Sequence, residues 1–230
     1  MKKRLTILMP CLNEEKTIEK CIIDAKKFIC DKNIDGEILI VDNGSCDNSK
    51  EIVKKQNVRL INCNKKGYGN ALRYGINKSK GKYIIMGDSD ASYDFSNIGE
   101  FVKLLDDGYD LVMGNRFKGT IEKGAMPLLN RYIGNPFLSW FARKLFPCNI
   151  GDFHSGLRGF QKDKIIKLKL ESEGMEFASE MVIKCVKHNY KICETPINLL
   201  NNGIERKPHL RPFRDGLRHI KLIIKQKNKK

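Results

Sequence analysis

Short apolar runs punctuate the first half of the chain: LTILM at 5–9, EILIVD at 37–42, VRLIN at 58–62, KYIIMG at 82–87 and DLVMGN at 110–115. Between them, apolar residues return every three or four positions, from about Thr17 to Ile29, Asp47 to Gln56, Tyr68 to Ser79 and Ser96 to Leu105. Apolar runs this short read as strands buried on both faces, and the wider spacing is that of amphipathic helices. Strand and helix in alternation predict an α/β fold, a mostly parallel central sheet with helices on both faces. After Arg116 the alternation lapses. Residues 118–150 contain glycine, proline and a helical stretch, NRYIGNPFLSWFARKLF at 130–146; a short strand at 157–160, helices near 163–169 and 176–189, and a strand near 190–196 follow. With no repeat or long linker, the pattern predicts one domain over 1–205, divided near 117, and a basic extension over 206–230.

Sheets of this kind collect ligands beyond the carboxyl ends of their strands. Polar clusters fall at four such ends: Asn13 and Glu14 after the first strand, Asp42 and Asn43 after the second, Asp88 and Asp90 after the fourth, Arg116 after the fifth. Asp88-Ser89-Asp90 places two carboxylates one residue apart at a strand tip. They can share a hard cation through oxygen ligands and leave positions for water and a diphosphate; they also fit a solvated turn with an Asx cap. Asp94, Asp47 and Ser49 read as helix caps. PCLNEE (10–15) and VDNGSCDNS (41–49) carry side chains able to bond a nucleobase and ribose. Gly67 and Gly69, in NKKGYGNALRYG, either admit close backbone approach to a phosphate or open a helix.

Composition narrows the partner. The chain has 230 residues, a formal net charge of +16 and 41% hydrophobic residues, enough for a sizeable core, and its positive excess calls for an anionic partner. Nucleic acid is the weakest choice, because the basic residues are dispersed or gathered at the C-terminus and are not interleaved with aromatics on a recognisable motif. The eight cysteines contain no C-x-x-C pair and read as reduced, structural thiols of a cytoplasmic protein. MKKRLTILMP begins like a signal peptide, but its apolar stretch breaks at Pro10 and reads as a first strand. No run approaches the ~20 apolar residues of a membrane-spanning helix.

Taken in order, PCLNE, VDNGSCD, NKKGYGNA, GKYI and DSD resemble glycosyltransferase family 2 enzymes of the GT-A fold. GNRF (114–117), DFHSGLRGF (152–160) and GMEFASEMVIK (174–184) resemble the polyprenyl-phosphate sugar synthases, the dolichyl-phosphate-mannose-synthase group. The resemblance covers most of residues 4–200. It implies a nucleotide-sugar-binding half over 1–117 and an acceptor half over 118–205. Pro10, Leu12, Asn13, Glu14, Asp42, Asn43, Gly67, Asp88 and Ser89 would then meet the donor. Asp88 and Asp90 would hold Mg²⁺ or Mn²⁺, and Arg116, Arg131 and Arg158 would serve the acceptor phosphate. Two positions depart from the family pattern: Asn43 replaces a second aspartate, and Ser92 stands where a glutamine often contacts the metal.

The implied reaction is inverting, metal-dependent transfer of a sugar from a nucleotide diphosphate to a polyprenyl phosphate. Because a phosphate is already ionised, it needs no strong base, and arginine binds it bidentately. The alternative, transfer to a glycan hydroxyl, requires a general base. Asp152 is the first candidate for it; His154 reads better as a structural hydrogen-bonding group. A lipid acceptor also requires a bilayer. PFLSWFARKLF (136–146) offers aromatic bulk beside Arg143 and Lys144. In the tail, Phe213, Leu217, Ile220 and Ile224 share one helical face, with Arg214, Arg218, Lys221 and Lys225 largely off it. That composition suits a helix lying on an anionic membrane, or one packed on the domain with a solvated basic side. The expectation is a peripheral protein on the inner membrane face, or one held there by an anchoring partner.

Overall fold

The computed structural model describes residues 3–203 and 212–228. Seven strands, β1 (Lys3–Cys11), β2 (Gly36–Asp42), β3 (Arg59–Asn62), β4 (Gly81–Met86), β5 (Leu111–Asn115), β6 (Arg158–Gln161) and β7 (Ile192–Pro196), form one sheet in the order β3-β2-β1-β4-β6-β5-β7. The helices are α1 (Ile18–Asp31), α2 (Ser49–Lys55), α3 (Tyr68–Lys78), α4 (Gly99–Asp106), α5 (Asn135–Leu145), α6 (Lys162–Lys167), α7 (Phe177–Lys187) and α8 (Pro212–Asn228). A 3₁₀ turn (Phe95–Asn97) precedes α4, and a π-helical segment (Asn130–Gly134) runs into α5.

Alternating strand positions feed two cores, which is why the strands are apolar throughout. Leu5, Ile7, Met9, Tyr83 and Ile85 pack towards α1 and α4, whereas Leu8, Ile84 and Met86 pack towards α3, α6 and α7. Each buried leucine or isoleucine contributes about 1.5–3 kcal/mol, so the doubly covered β1 anchors the sheet.

Periodicity does not reveal direction, and β6 supplies the exception to the parallel sheet. It runs antiparallel between β4 and β5, with Arg158 opposite both Met86 and Met113. Its entry end therefore lies beside the exit ends of β4 and β5. The loop leading into β6, residues 151–157, is delivered to the same edge as Asp88, Asp90 and Arg116.

Helix α8 packs on α7 and α5 with Asp215, His219, Ile223 and Gln226 turned inward and buried. Arg214, Leu217, Lys221, Ile224 and Lys225 face outward. The helix thus docks on the domain by a partly polar side and leaves Leu217 and Ile224 exposed. The boundary expected at 205/206 and the side chain of Phe213 lie outside the described residues. Among the described residues, no helix is long and apolar enough to cross a membrane.

Candidate active site

The chain leaves β4 through Gly87 into the two carboxylates. Tyr68 Oη, at the start of α3, donates to Asp88 Oδ1 at 2.8 Å. Asp90 Oδ1 accepts from Ser92 N at 3.0 Å, and its carbonyl accepts from Asn202 Nδ2 at 2.8 Å. Between this pair and Ser92, Ala91 takes a left-handed conformation, φ 59°, costly for a residue with a Cβ. Burial, and then the charge of Asp90, push the Asp88 carboxyl up to about 6.

That repulsion is the kind a divalent cation removes. Two hard oxygen donors fit Mg²⁺ or Mn²⁺ but fill only part of its coordination sphere, and the rest suits diphosphate oxygens and water. Among the described residues, no set of three histidine, cysteine or acidic side chains could hold a metal ion. A bound diphosphate would complete the sphere.

Arg116, at the exit of β5, meets Asp152 in a bidentate pair. Nε donates to Oδ2 at 2.7 Å and Nη2 to Oδ1 at 2.8 Å. Asp152 is 0% exposed and Arg116 8%. The backbone amides of Arg116 and His154 donate to the same carboxylate. Burial alone would lower the basicity of Arg116, and Asp152 more than reverses this, so the guanidinium is permanently charged. Its field reaches Asp88 as well. Glu194 of β7 accepts from Gly151 N at 2.7 Å and pairs with Lys118, closing the back of the turn.

This geometry corrects the role offered to Asp152. A general base needs a lone pair that can reach the substrate proton, and both Asp152 oxygens are occupied by Arg116 in a fully buried position. His154 is neutral at ordinary pH, because burial and then His219 hold it well below the usual histidine range. Its Nε2 pairs with Ser179 Oγ at 3.1 Å, the structural bond expected of it.

The β1–β2 side of this edge is more heavily braced than the sequence implies. Asn43 donates to the carbonyls of Cys63 and Lys65 and accepts from Gly67 N, at 2.8–3.1 Å. Both N–H groups of its amide are thus engaged in holding the 63–67 loop, and Oδ1 keeps one lone pair beyond the bond from Gly67. Gly67, φ 128°, is glycine for a packing reason, since a Cβ there would stand 2.4 Å from Glu173 O. Gly69 abuts Ser172 O in the same way. The 172–174 backbone thus packs against the Cα atoms of both glycines. Ser89 Oγ donates to Pro10 O at 2.7 Å, tying β4 to β1, and is also structural.

Asp42 accepts from the Gly44 and Ser45 amides, and Asn13, φ 58°, accepts from Cys46 N. Glu14 accepts from Thr17 Oγ1. With Pro10 and Leu12 these residues form a rim at the carboxyl ends of β1 and β2. Asp94 caps the 3₁₀ turn through Ser96 N, as expected; the N-cap of α2 is instead Asn48, with Ser49 the first helical residue and Asp47 one position before the cap, accepting from Ser49 N and Oγ.

Two arginines stand apart from Arg116. Arg158 is 1% exposed, and its Nη atoms donate to the carbonyls of Ala178 and Ser155. It braces α7 against the 155–157 turn and is no direct ligand for an acceptor phosphate; the LRGF strand gives no hint of this, because β6 is central and not at an edge. Arg131 lies on the π-helical segment with its guanidinium 5.4 Å from the Tyr132 ring. Tyr68, Tyr93 and Gly156 had no recognisable signal in the sequence. Gly156 N donates to Tyr93 Oη at 2.9 Å, and a Cβ on Gly156 would fall 2.2 Å from Asp88 Oδ2.

Three comparisons bear on this arrangement. Residues 6–169 match the family model described as glycosyl transferase family 2. A low-salt glycan biosynthesis hexosyltransferase of Haloferax volcanii is 36% identical over 96% of the chain, but the chain spans only 53% of that protein. A dolichyl-phosphate hexose transferase of the same organism is 31% identical over 96% of the chain and 92% of its own length. A UDP-N-acetylglucosamine–dolichyl-phosphate N-acetylglucosaminyltransferase of Methanococcus voltae is 29% identical over 86% of each. In fold, the crystal structure of Mycobacterium tuberculosis glucosyl-3-phosphoglycerate synthase with Mn²⁺, UDP and phosphoglyceric acid superposes at TM-score 0.75 and 17% identity, over 98% of this chain and 79% of that one.

Gly156→Ala tests the packing of the 152–157 turn on Asp88. The new methyl group displaces the carboxylate, and Mn²⁺ binding in the presence of UDP, followed by electron paramagnetic resonance, is expected to weaken by about tenfold, the scale of one charged hydrogen-bonding contact. Wild-type affinity would mean that the turn moves freely away from Asp88.

Proposed function

The chain belongs to glycosyltransferase family 2, has the GT-A fold, and, we propose, transfers a sugar with inversion from a nucleotide diphosphate to a polyprenyl phosphate. The observation that carries this reading is the Arg116–Asp152 pair. The carboxylate placed to act as a base is locked to a guanidinium, which favours an acceptor that arrives already ionised. The named acceptor of two relatives, dolichyl phosphate, supports the same class. Those relatives differ in the sugar their names give, so the support concerns the acceptor.

Asp88 and Asp90 would hold Mg²⁺ or Mn²⁺ against the donor diphosphate; the Mn²⁺ and UDP in the structural neighbour support this choice. The ion supplies Lewis-acid stabilisation of the leaving diphosphate. Tyr68 orients Asp88 for this role, and the strand-end rim of Pro10, Leu12, Glu14 and Asp42 receives the nucleoside. Arg116 presents a fixed positive charge to the incoming phosphate, and Arg131 reaches it from the π-helical segment. Asp152 keeps Arg116 extended by holding its Nε and Nη2. Transition-state charge is thus met by groups oriented before the reaction begins.

A lipid acceptor must be taken from a bilayer. Leu128, Leu129, Tyr132, Ile133, Phe137 and Trp140 are 48–71% exposed along the π-helical segment and α5. Such a concentration of exposed apolar residues marks an interaction surface. Arg131, Arg143 and Lys144 lie among or beside them, and the outward lysines of α8 are on the neighbouring helix. Apolar bulk with basic flanks suits an anionic leaflet.

Two experiments test this reading. Purified protein with Mn²⁺ and a short polyprenyl phosphate is offered radiolabelled UDP-glucose, UDP-N-acetylglucosamine, UDP-galactose and GDP-mannose in turn. Label is expected in the organic phase for one donor, with Asp90→Ala and Arg116→Lys reduced by on the order of 100-fold. Metal-dependent donor hydrolysis with no lipid product would overturn the acceptor assignment. For the surface, the single tryptophan, Trp140, is 53% exposed. Its emission is expected to shift to the blue on phosphatidylserine vesicles and much less on neutral ones. An unchanged spectrum on both would contradict insertion.

A further inference from the structure

Beyond the groups assigned above, a buried polar chain joins three elements. His154 Nε2 lies 3.1 Å from Ser179 Oγ, which lies 2.8 Å from His219 Nδ1. The two imidazoles meet edge to face with centroids 4.6 Å apart. His154 belongs to the site turn, Ser179 to α7 and His219 to the inner side of α8; Ser179 is 0% exposed and His219 4%. At its other end the chain reaches the active site, because His154 N donates to Asp152 Oδ1, the oxygen that also receives Arg116 Nη2. Hydrogen bonds on either side of His154, one from its ring and one from its backbone amide, therefore link α8 to the charged head of Arg116.

Such a chain is an expensive way to hold a helix. Buried polar groups cost free energy unless every partner is in place, and here His154 Nδ1 is buried without one. A leucine at 219 would dock α8 without any of this. The arrangement does offer direction. A serine hydroxyl has one proton, so between two imidazole nitrogens it donates to one and accepts from the other. Both rings are thereby fixed in orientation. Arg116 and Arg158 face the pair from the site side, and Glu176, Asp215 and Arg218 from α8 and the adjoining turn.

We propose that Ser179 and His219 are positioning residues for the transfer reaction: through them α8 holds the 152–154 turn and sets the orientation in which Arg116 meets the acceptor phosphate. The inference rests on the reading of Arg116 given under the proposed function. It adds that the helix turning Leu217 and Ile224 outward, towards the surface proposed to meet the bilayer, is the same helix that braces the acceptor side of the site.

The test uses the full chain and four proteins: wild type, Ser179→Ala, His219→Leu, and His219→Asn, whose amide returns a hydrogen-bonding group near the position of Nδ1. Amide hydrogen exchange needs no acceptor. Residues 150–158 are expected to exchange faster in Ser179→Ala and His219→Leu, to recover in His219→Asn, and to do so with β1, β2 and β3 unchanged. In the transfer assay, KM for polyprenyl phosphate is expected to rise by about tenfold, the scale of one lost buried hydrogen bond, with the Kd for UDP unaltered. Unchanged exchange at 150–158 would overturn the proposal, as would acceleration spread evenly over the chain, or His219→Asn behaving like His219→Leu. A normal acceptor KM beside a loosened turn would overturn its link to Arg116. Failure of the acceptor assignment is recognised separately, as wild-type protein that transfers nothing to polyprenyl phosphate while the exchange comparison still reads the turn.

Discussion

The buried pair of Arg116 and Asp152 is the constraint around which the acceptor side is built. Taking two charges out of water is costly, and such a pair holds only when its geometry is bidentate and its remaining lone pairs are filled. Both conditions are met, with two guanidinium bonds and two backbone amides converging on one carboxylate. Removing either partner would strand a buried charge at about 3–5 kcal/mol. The exit of β5 and the entry to β6 are consequently locked together, and the 152–157 turn is pressed against Asp88 through Gly156. The strand-tip carboxylates of Asp88 and Asp90 and the guanidinium of Arg116 then share one rigid edge.

The reversed β6 makes this possible. In a fully parallel sheet, the loop before a strand lies at the edge opposite the ligands. Inserting one antiparallel strand between β4 and β5 brings its leading loop to the exit edge instead. Arg158 follows from the same placement: a central strand with α7 laid across it has no route to solvent, so its guanidinium turns to carbonyls. The charge remains near the site as part of the field felt by His154 and His219.

What could be read from the residues was what depends on local pattern. The strands and helices up to β5 fall close to where apolar periodicity puts them, and the strand-tip positions of Asp88, Asp90 and Arg116 follow. Asp94 caps as short polar residues do. Roles set by distant backbone were not legible. Gly67 gives no sign of the Glu173 backbone that packs against its Cα, nor Asn43 of the bonds by which its amide holds the 63–67 loop. The direction of β6 and the inward side of α8, where His219 and Asp215 are buried, are also decided by tertiary packing. The apolar positions of α8 alone would have turned Leu217 inward.

The central claim is that the acceptor attacks without an enzymic base. Single-turnover transfer measured from pH 6 to 9, in H₂O and D₂O, tests it most directly. A lipid phosphate with its second pKa about 6 is dianionic over most of this range. The rate is therefore expected to be level from about pH 7 upward, with a solvent isotope effect near unity. It should fall only towards pH 6, where the acceptor phosphate regains a proton and becomes a weaker nucleophile. A rate climbing about tenfold per pH unit between 7 and 9, slowed severalfold in D₂O, would place proton removal in the transfer step and contradict the account.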